Sequence, residues 1–276
     1  MKWVLEVGGI SLAIEGPACW VEPFKQAWKR WTGNSSSWTV SLEADEGLLI
    51  PEAPLFTVLP SFTDNGCFLK AVGFAGEIIS HERRARLRAH PQAFLGDIAY
   101  FLRVTFALSA FESGGILFHA AGVIHRGQAL AFFGPSGSGK TTLVRLSEGK
   151  EVLSDDLLLL RCSSQGWEAW ATPFSLHRGN KLSSPLCALI RLVKAEEDQL
   201  VPLSSGVALG EAVASSPVIN ADPSRLPELF ARWEEILSSV PAFALYFRKS
   251  VAFWEVIDVE FGGNTEPRSW NPLSSS

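Results

Sequence analysis

Residues 132–143 read FFGPSGSGKTTL, and their order suits one kind of chemistry. Gly134, Gly139, Lys140 and Thr141 complete the pattern G-x-x-x-x-G-K-[ST], with Pro135, Ser136, Gly137 and Ser138 between the outer glycines and Thr142 just after. Glycines let such a loop curl so that backbone N–H groups point inward at anionic oxygens, and a helix beginning there adds its positive end. Lys140 would bridge the β- and γ-phosphates of a nucleotide, and the Thr141 hydroxyl would ligate Mg²⁺. A flexible Gly-Ser-Gly turn is the plainer reading. It is disfavoured because an apolar strand leads in and a helix leads out.

The second chemical element is LSDD, where Asp155 and Asp156 follow an apolar run. Two adjacent carboxylates can divide two tasks, one holding a metal and one taking the proton of an attacking hydroxyl. They could also be solvated turn residues or a helix cap. Their spacing from Lys140 leaves room for a short helix, a turn and a strand expected beside the loop strand. On that reading the carboxylates emerge at the same sheet edge as the phosphates. Several other nucleotide machines are disfavoured. Guanine recognition wants N-K-x-D, and the chain offers NKLS from Asn180 to Ser183, whose serine lacks the two-oxygen acceptor. The transporter-ATPase signature LSGGQ is absent, and too little chain is left for a large motor.

Positioning elements can be read on either side. The runs ILFHAAGVIH and QALAFFG, separated by Arg126-Gly127, predict a hairpin that feeds the loop. KTTLVRLS predicts a short helix, and KEVLSDDLLLLR a strand with the aspartates in its middle. WEAWATPF and PLCALIRLV read as strands. DPSRLPELFARWEEILSS reads as a helix capped by Asp222 with Pro223 first, and FALYF and VAFWEVIDVEF read as strands.

Upstream, WVLEVGGISLAIEG, WTVSLEA and LFTVLP read as strands, and VEPFKQAWKRW as a helix. The basic run at residues 81–90, HERRARLRAH, reads as a solvated helix face or linker. Residues 91–115 then predict one long helix, with Pro91 near its start and Gly114-Gly115 as its stop. Interruption by Asp97 and Arg103 marks it as a buried helix rather than a membrane span.

Composition sets outer bounds. With 47% hydrophobic and 19% charged residues, the 276-residue chain can bury a substantial core. A formal charge of −5 argues against a nucleic-acid partner. Four scattered cysteines, with neither a CxxC pair nor zinc spacing, imply reduced thiols and a cytoplasmic setting. The start, MKWVLEVGG, is strand-like and not a signal peptide. Ten tryptophans are unusual and are accounted for mainly by core packing.

The stretch FHAAGVIHRGQALAFFGPSGSGKTTLVRLSEGKEVLSDDLLLL resembles the HPr kinase/phosphorylase family and its shorter relatives. Its loop and acidic pair also resemble ATP-dependent phosphoenolpyruvate carboxykinase. The likeness covers about residues 112–200. It implies an α/β fold: a phosphoenolpyruvate-carboxykinase/HPr-kinase-like P-loop domain over residues 116–262, preceded by a small β-rich α+β domain over residues 1–90. Residues 91–115 would connect the two, and residues 263–276 would be a polar, frayed tail.

The resemblance further implies ATP and Mg²⁺, with γ-phosphoryl transfer to a hydroxyl of a protein, a peptide or a small molecule. Asp155 would take the acceptor proton, Asp156 would be the metal-side partner, and those two roles could be exchanged. His119 matches a histidine that lies near Asp155 and tunes it. Read alone, it would be a hydrogen-bonded core residue. Arg178 or Lys181 would stabilise charge on the transferred group. The departures are in the loop, Lys-Thr-Thr in place of the usual Lys-Ser-Glu, and in LHRGNKLSS, which keeps little of the loop used for dephosphorylation. The acceptor is therefore open, and reverse dephosphorylation is doubtful. Members of that family often assemble, so the resemblance also implies a homo-oligomer. The alternatives from other classes are a nucleotide-binding regulatory or assembly module and a simple ATP hydrolase.

Overall fold

The computed structural model describes residues 1–55, 58–64, 66–175 and 179–262. The predicted tail at 263–276 and Arg178 lie outside them. The chain divides into two compact units, Met1–Gly115 and Ile116–Ser276.

The first unit is a seven-stranded sheet with two α-helices. In chain order it contains β1 (Lys2–Val7), β2 (Ile10–Glu15), α1 (Ala18–Ala27), β3 (Trp38–Ala44), β4 (Ser61–Thr63), β5 (Gly66–Ala71), β6 (Phe74–Ile79), β7 (Arg84–Ala89) and α2 (Leu95–Glu112). The strand order is β1-β2-β3-β7-β6-β5-β4. β7 corrects the reading of the basic run: it is neither helix nor linker but an interior strand, parallel to β3 and antiparallel to β6. Its arginines alternate with buried Ala85, Leu87 and Ala89, a period of two that the charge count concealed. Arg86 pairs with Glu43 on the neighbouring β3 and Arg88 with Asp45 just beyond its end. Of LFTVLP, Phe56 and Thr57 lie outside the described residues, and residues 58–60 belong to no strand.

The long helix begins at Leu95, four residues beyond Pro91, because residues 91–94 form a turn closed by Ala93 N–H to His90 O. It stops as expected: Gly114 takes φ 82°, and the N–H groups of Gly114 and Gly115 cap Phe111 and Ala110. Asp97 is buried within it. Its carboxylate accepts the Leu55 N–H at 2.8 Å, and burial pushes its pKa up. No helix among the described residues is long and apolar enough to cross a membrane.

The second unit continues with β8 (Ile116–Phe118), β9 (Ala120–His125), β10 (Gln128–Phe133), α3 (Lys140–Leu146), β11 (Glu151–Ser154), β12 (Leu158–Ser163), β13 (Gly166–Ala171), β14 (Ser183–Lys194), β15 (Gln199–Pro202), α4 (Ser205–Ala214), α5 (Leu226–Ser239), β16 (Ala242–Phe247) and α6 (Phe253–Phe261). The β9–β10 hairpin forms where Arg126 and Gly127 both take positive φ, 50° and 84°. β14 joins two half-sheets. Its start pairs with β13, which leads through β12 to β8; its later part lies between β10 and β16, both parallel to it.

Four local readings are corrected here. KEVLSDDLLLLR is two strands, since the chain leaves the ladder at Asp155 and passes from one half-sheet to the other. β11 is not beside the loop strand β10, because β9 lies between them. α5 starts at Leu226, with Pro227 in its first turn; Asp222 instead binds Ser224 and Arg225 in the preceding turn. VAFWEVIDVEF holds a helix, not a strand. Phe253, Trp254 and Ile257 sit at helical spacing and are all buried, each worth about 1.5–3 kcal/mol of transfer free energy. They pack with Leu143 and Val144 of α3 and Leu245 of β16 in one apolar cluster.

Candidate functional site

The glycine loop follows β10 directly. Gly134, Gly137 and Gly139 take φ 144°, 77° and 113°, backbone that L side chains rarely adopt. Ser138 N–H closes a turn on Pro135 O at 3.0 Å, and Leu143 N–H reaches Gly139 O at 2.8 Å to begin α3. A Cβ on Gly139 would lie 2.9 Å from Phe247 Cζ, so only glycine fits between loop and β16. Lys140 is buried at the first position of α3. Its ammonium donates to Gly134 O at 2.8 Å and Pro135 O at 3.4 Å. Burial pulls its pKa down, and the charge of Asp156 opposes that. The buried Ser138 hydroxyl has no hydrogen-bond partner among the described residues.

The acidic pair reaches the same place by topology. β9 is antiparallel to both β10 and β11, so β10 and β11 run in one direction and finish at one edge. Two connections change half-sheet there: His119 between β8 and β9, and Asp155–Asp156–Leu157 between β11 and β12. Because β8 pairs with β12 and β9 with β11, the two crossings meet. His119 Nε2 accordingly lies 3.0 Å from Asp156 Oδ1. His119 thus stands beside the acidic pair, in contact with Asp156. Asp155 is the more buried of the two, 6% exposed, and both line the cleft.

That cleft has a volume of about 420 Å³ and is bounded by Ser136, Gly137, Gly139, Lys140, Thr141 and Thr142 on the loop side. His119, Asp155, Asp156 and Phe174 face them across it. Gly134 and Pro135 take part through the carbonyls that hold Lys140. Phe174 was not anticipated, and its only sequence signal is its place after Thr172-Pro173 at the end of a strand. Lys181 does not join the cleft. It is engaged with Glu151 at the start of β11, about 10 Å of strand away from the aspartates. A second cleft, of about 470 Å³, opens at the ends of β14 and β16 and shares Gly137, Gly139 and Thr142 with the first. Lys194, Phe247 and Lys249 line its other side.

The residues fit a nucleotide phosphate chain and its metal. Three glycines give the loop its positive-φ backbone, a buried ammonium sits against backbone carbonyls, and the buried Ser138 hydroxyl has no partner among the described residues. Oxygen donors suited to Mg²⁺ are present in Thr141 and Asp156.

Fold and cleft together describe a mixed α/β protein in which a glycine loop and an acidic turn share one sheet edge. A family model for SynChlorMet cassette protein ScmC matches residues 98–261, more than half of the chain, and the chain belongs to that family. Comparison with curated proteins finds no match.

Proposed function

We propose that the protein is an ATP-dependent phosphotransferase that moves the γ-phosphoryl group to a hydroxyl. The observation that carries this is the single cleft in which the loop residues and Lys140 face Asp155, Asp156 and His119. A module that only bound nucleotide would need the loop, but not a buried carboxylate across from it. The sequence resemblance to HPr-kinase-like proteins over residues 112–200 points the same way. The reducing, cytoplasmic setting expected from the four scattered cysteines belongs to this reading.

In this mechanism the loop N–H groups and Lys140 bind and orient the phosphates. The second cleft, lined by Lys194 and Lys249, shares the loop with the first but none of its lining is Asp155, Asp156 or His119. The nucleoside is assigned to it. Thr141 and Asp156 would hold Mg²⁺, which would supply positive charge to offset that of the phosphates. His119, with Nε2 3.0 Å from Asp156 Oδ1, would fix that carboxylate's orientation, in the way outer partners commonly orient ligands. Asp155 takes the proton of the acceptor hydroxyl. Positioning and preorganised charge supply most of the rate.

The test is binding and transfer measured side by side. Lys140→Ala should abolish MgATP affinity. Asp155→Asn should leave that affinity within about twofold and lower transfer of labelled γ-phosphate by at least about 10²-fold, the usual scale for a general base. Undiminished transfer by Asp155→Asn would remove the role given to that residue. Label released to water rather than to any acceptor would favour hydrolysis, and binding without either product would favour a regulatory module.

A further inference from the structure

The acidic turn is held by three buried hydroxyls drawn from two separate parts of the chain. Ser154 ends β11, whereas Thr172 and Ser175 follow β13; none is more than 2% exposed. Ser154 Oγ accepts the N–H groups of Asp156 at 3.2 Å and Leu157 at 3.1 Å. It also lies 2.9 Å from Leu157 O and 2.5 Å from Ser175 Oγ. Thr172 Oγ1 donates to Leu157 O at 2.9 Å.

The protons can be counted. A serine or threonine hydroxyl has one to give, and a carbonyl oxygen has two lone pairs. Thr172 donates to Leu157 O, Ser154 and Ser175 place their two protons between each other and that same oxygen, and Leu157 N–H is divided between the two serine oxygens. The N–H groups of Asp156 and Leu157 and the carbonyl of Leu157, where the chain leaves one half-sheet for the other, are thus met by side chains. The next anchor on the same connection is Gly179, whose N–H donates to Val152 O at 2.7 Å. A Cβ there would come within 2.2 Å of that oxygen. The β13–β14 connection is therefore fastened to β11 on both sides of residues 176–178.

We propose that Ser154, Thr172 and Ser175 are positioning residues that set the Asp156 peptide, and through it aim the Asp156 carboxylate at the Mg²⁺ of a bound nucleotide. This rests on the phosphotransferase reading above. The hydroxyls touch neither phosphate nor metal. They act because a ligand carboxylate binds a small, geometrically demanding ion well only when its backbone is fixed. Outer residues of this kind typically change metal affinity by about 10–100-fold.

The experiment is calorimetric titration of the full chain with ATP, once with Mg²⁺ and once in EDTA; the readout is the ratio of the two affinities. Wild type should bind at least tenfold more tightly with Mg²⁺. Thr172→Val, close to isosteric, and Ser175→Ala should bind ATP in EDTA like wild type but lose most of that ratio, as Asp156→Asn should. Thr172→Ser, which keeps the hydroxyl, should restore it. A hydroxyl that only stabilised the fold would lower the melting temperature and leave the ratio intact. An intact ratio in both Thr172→Val and Ser175→Ala therefore overturns the positioning role while leaving the phosphotransferase reading standing. A wild type that binds no ATP, or binds it equally in EDTA, overturns the reading of the site itself and the positioning role with it.

Discussion

Two loop glycines share a left-handed backbone and differ in what surrounds them, which separates conformational cost from steric cost. Gly137 has φ 77° and nothing within 4 Å of an added Cβ. Gly139 has φ 113°, and its Cβ would stand 2.9 Å from Phe247 Cζ. Phe247 cannot easily yield, because it is 3% exposed and packed edge-on against Phe253 at 5.8 Å. Gly137→Ala should cost the backbone term alone, about 1–2 kcal/mol. Gly139→Ala should cost that and about 1–3 kcal/mol more for overpacking. For a unit of this size each kcal/mol shifts the midpoint by about 2–4 °C, so the second variant should melt roughly 2–12 °C below the first. Differential scanning calorimetry with the two units' transitions fitted separately measures this. MgATP titration of the same samples should show the weaker binding in Gly139→Ala. Equal melting temperatures for the two variants would refute the contact with β16 as the reason a glycine stands at 139.

Further outcomes can be checked in parallel. Lys140→Met should raise the melting temperature of the ligand-free protein at neutral pH while removing its response to MgATP; burial disfavours the charged amine, so the folded state is relieved when the charge is deleted. His125 stacks on Trp254 at 5.5 Å beside the Lys150 ammonium, with Nε2 3.2 Å from Asp258 but poorly aligned for a hydrogen bond. Burial first, then Lys150, hold its pKa below the ordinary imidazole value, while Asp258 raises it. The unfolded chain therefore binds the proton more readily, and stability should fall as pH drops below about 6.5. His125→Phe should flatten that part of a melting-temperature profile taken from pH 5 to pH 7.5. Trp233 is fully buried, donates to Ser216 Oγ at 2.8 Å and packs on Phe118 at 4.8 Å. Trp233→Ala should cost about 3–5 kcal/mol in a denaturant titration.

The parts of the molecule that were readable from sequence are those specified locally. The Arg126-Gly127 hairpin, the glycine loop and the stop of α2 each depend on residues adjacent in the chain, and each lies where its turn chemistry puts it. The acidic pair is legible as a feature, since two aspartates after an apolar run stand out. Errors arose where two periods competed. VAFWEVIDVEF fits alternation and helix about equally well, and the decision came from Phe253, Trp254 and Ile257 finding α3 and β16. In RARLRA the six-residue alternation was complete, yet the arginines masked it because their ion-pair partners, Glu43 and Asp45, lie on a distant strand and just beyond its end. The hydroxyls beneath Asp156 were invisible for a related reason. Serine and threonine are common, and only the closing of β11 against the end of β13 shows what Ser154, Thr172 and Ser175 do.

The parallel placement of β16 beside β14, with Phe247 under the glycine loop, has a consequence for the order in which this protein is made. The loop leaves the ribosome long before Phe247, and parallel pairings between remote segments must meet the entropy of closing a large loop before contacts reward them. A nascent chain halted after β14 already carries every residue of the acidic turn and the loop. It lacks the surface on which Gly139 rests. The glycine loop therefore gains its support only when β16 docks, among the last events in the assembly of this sheet.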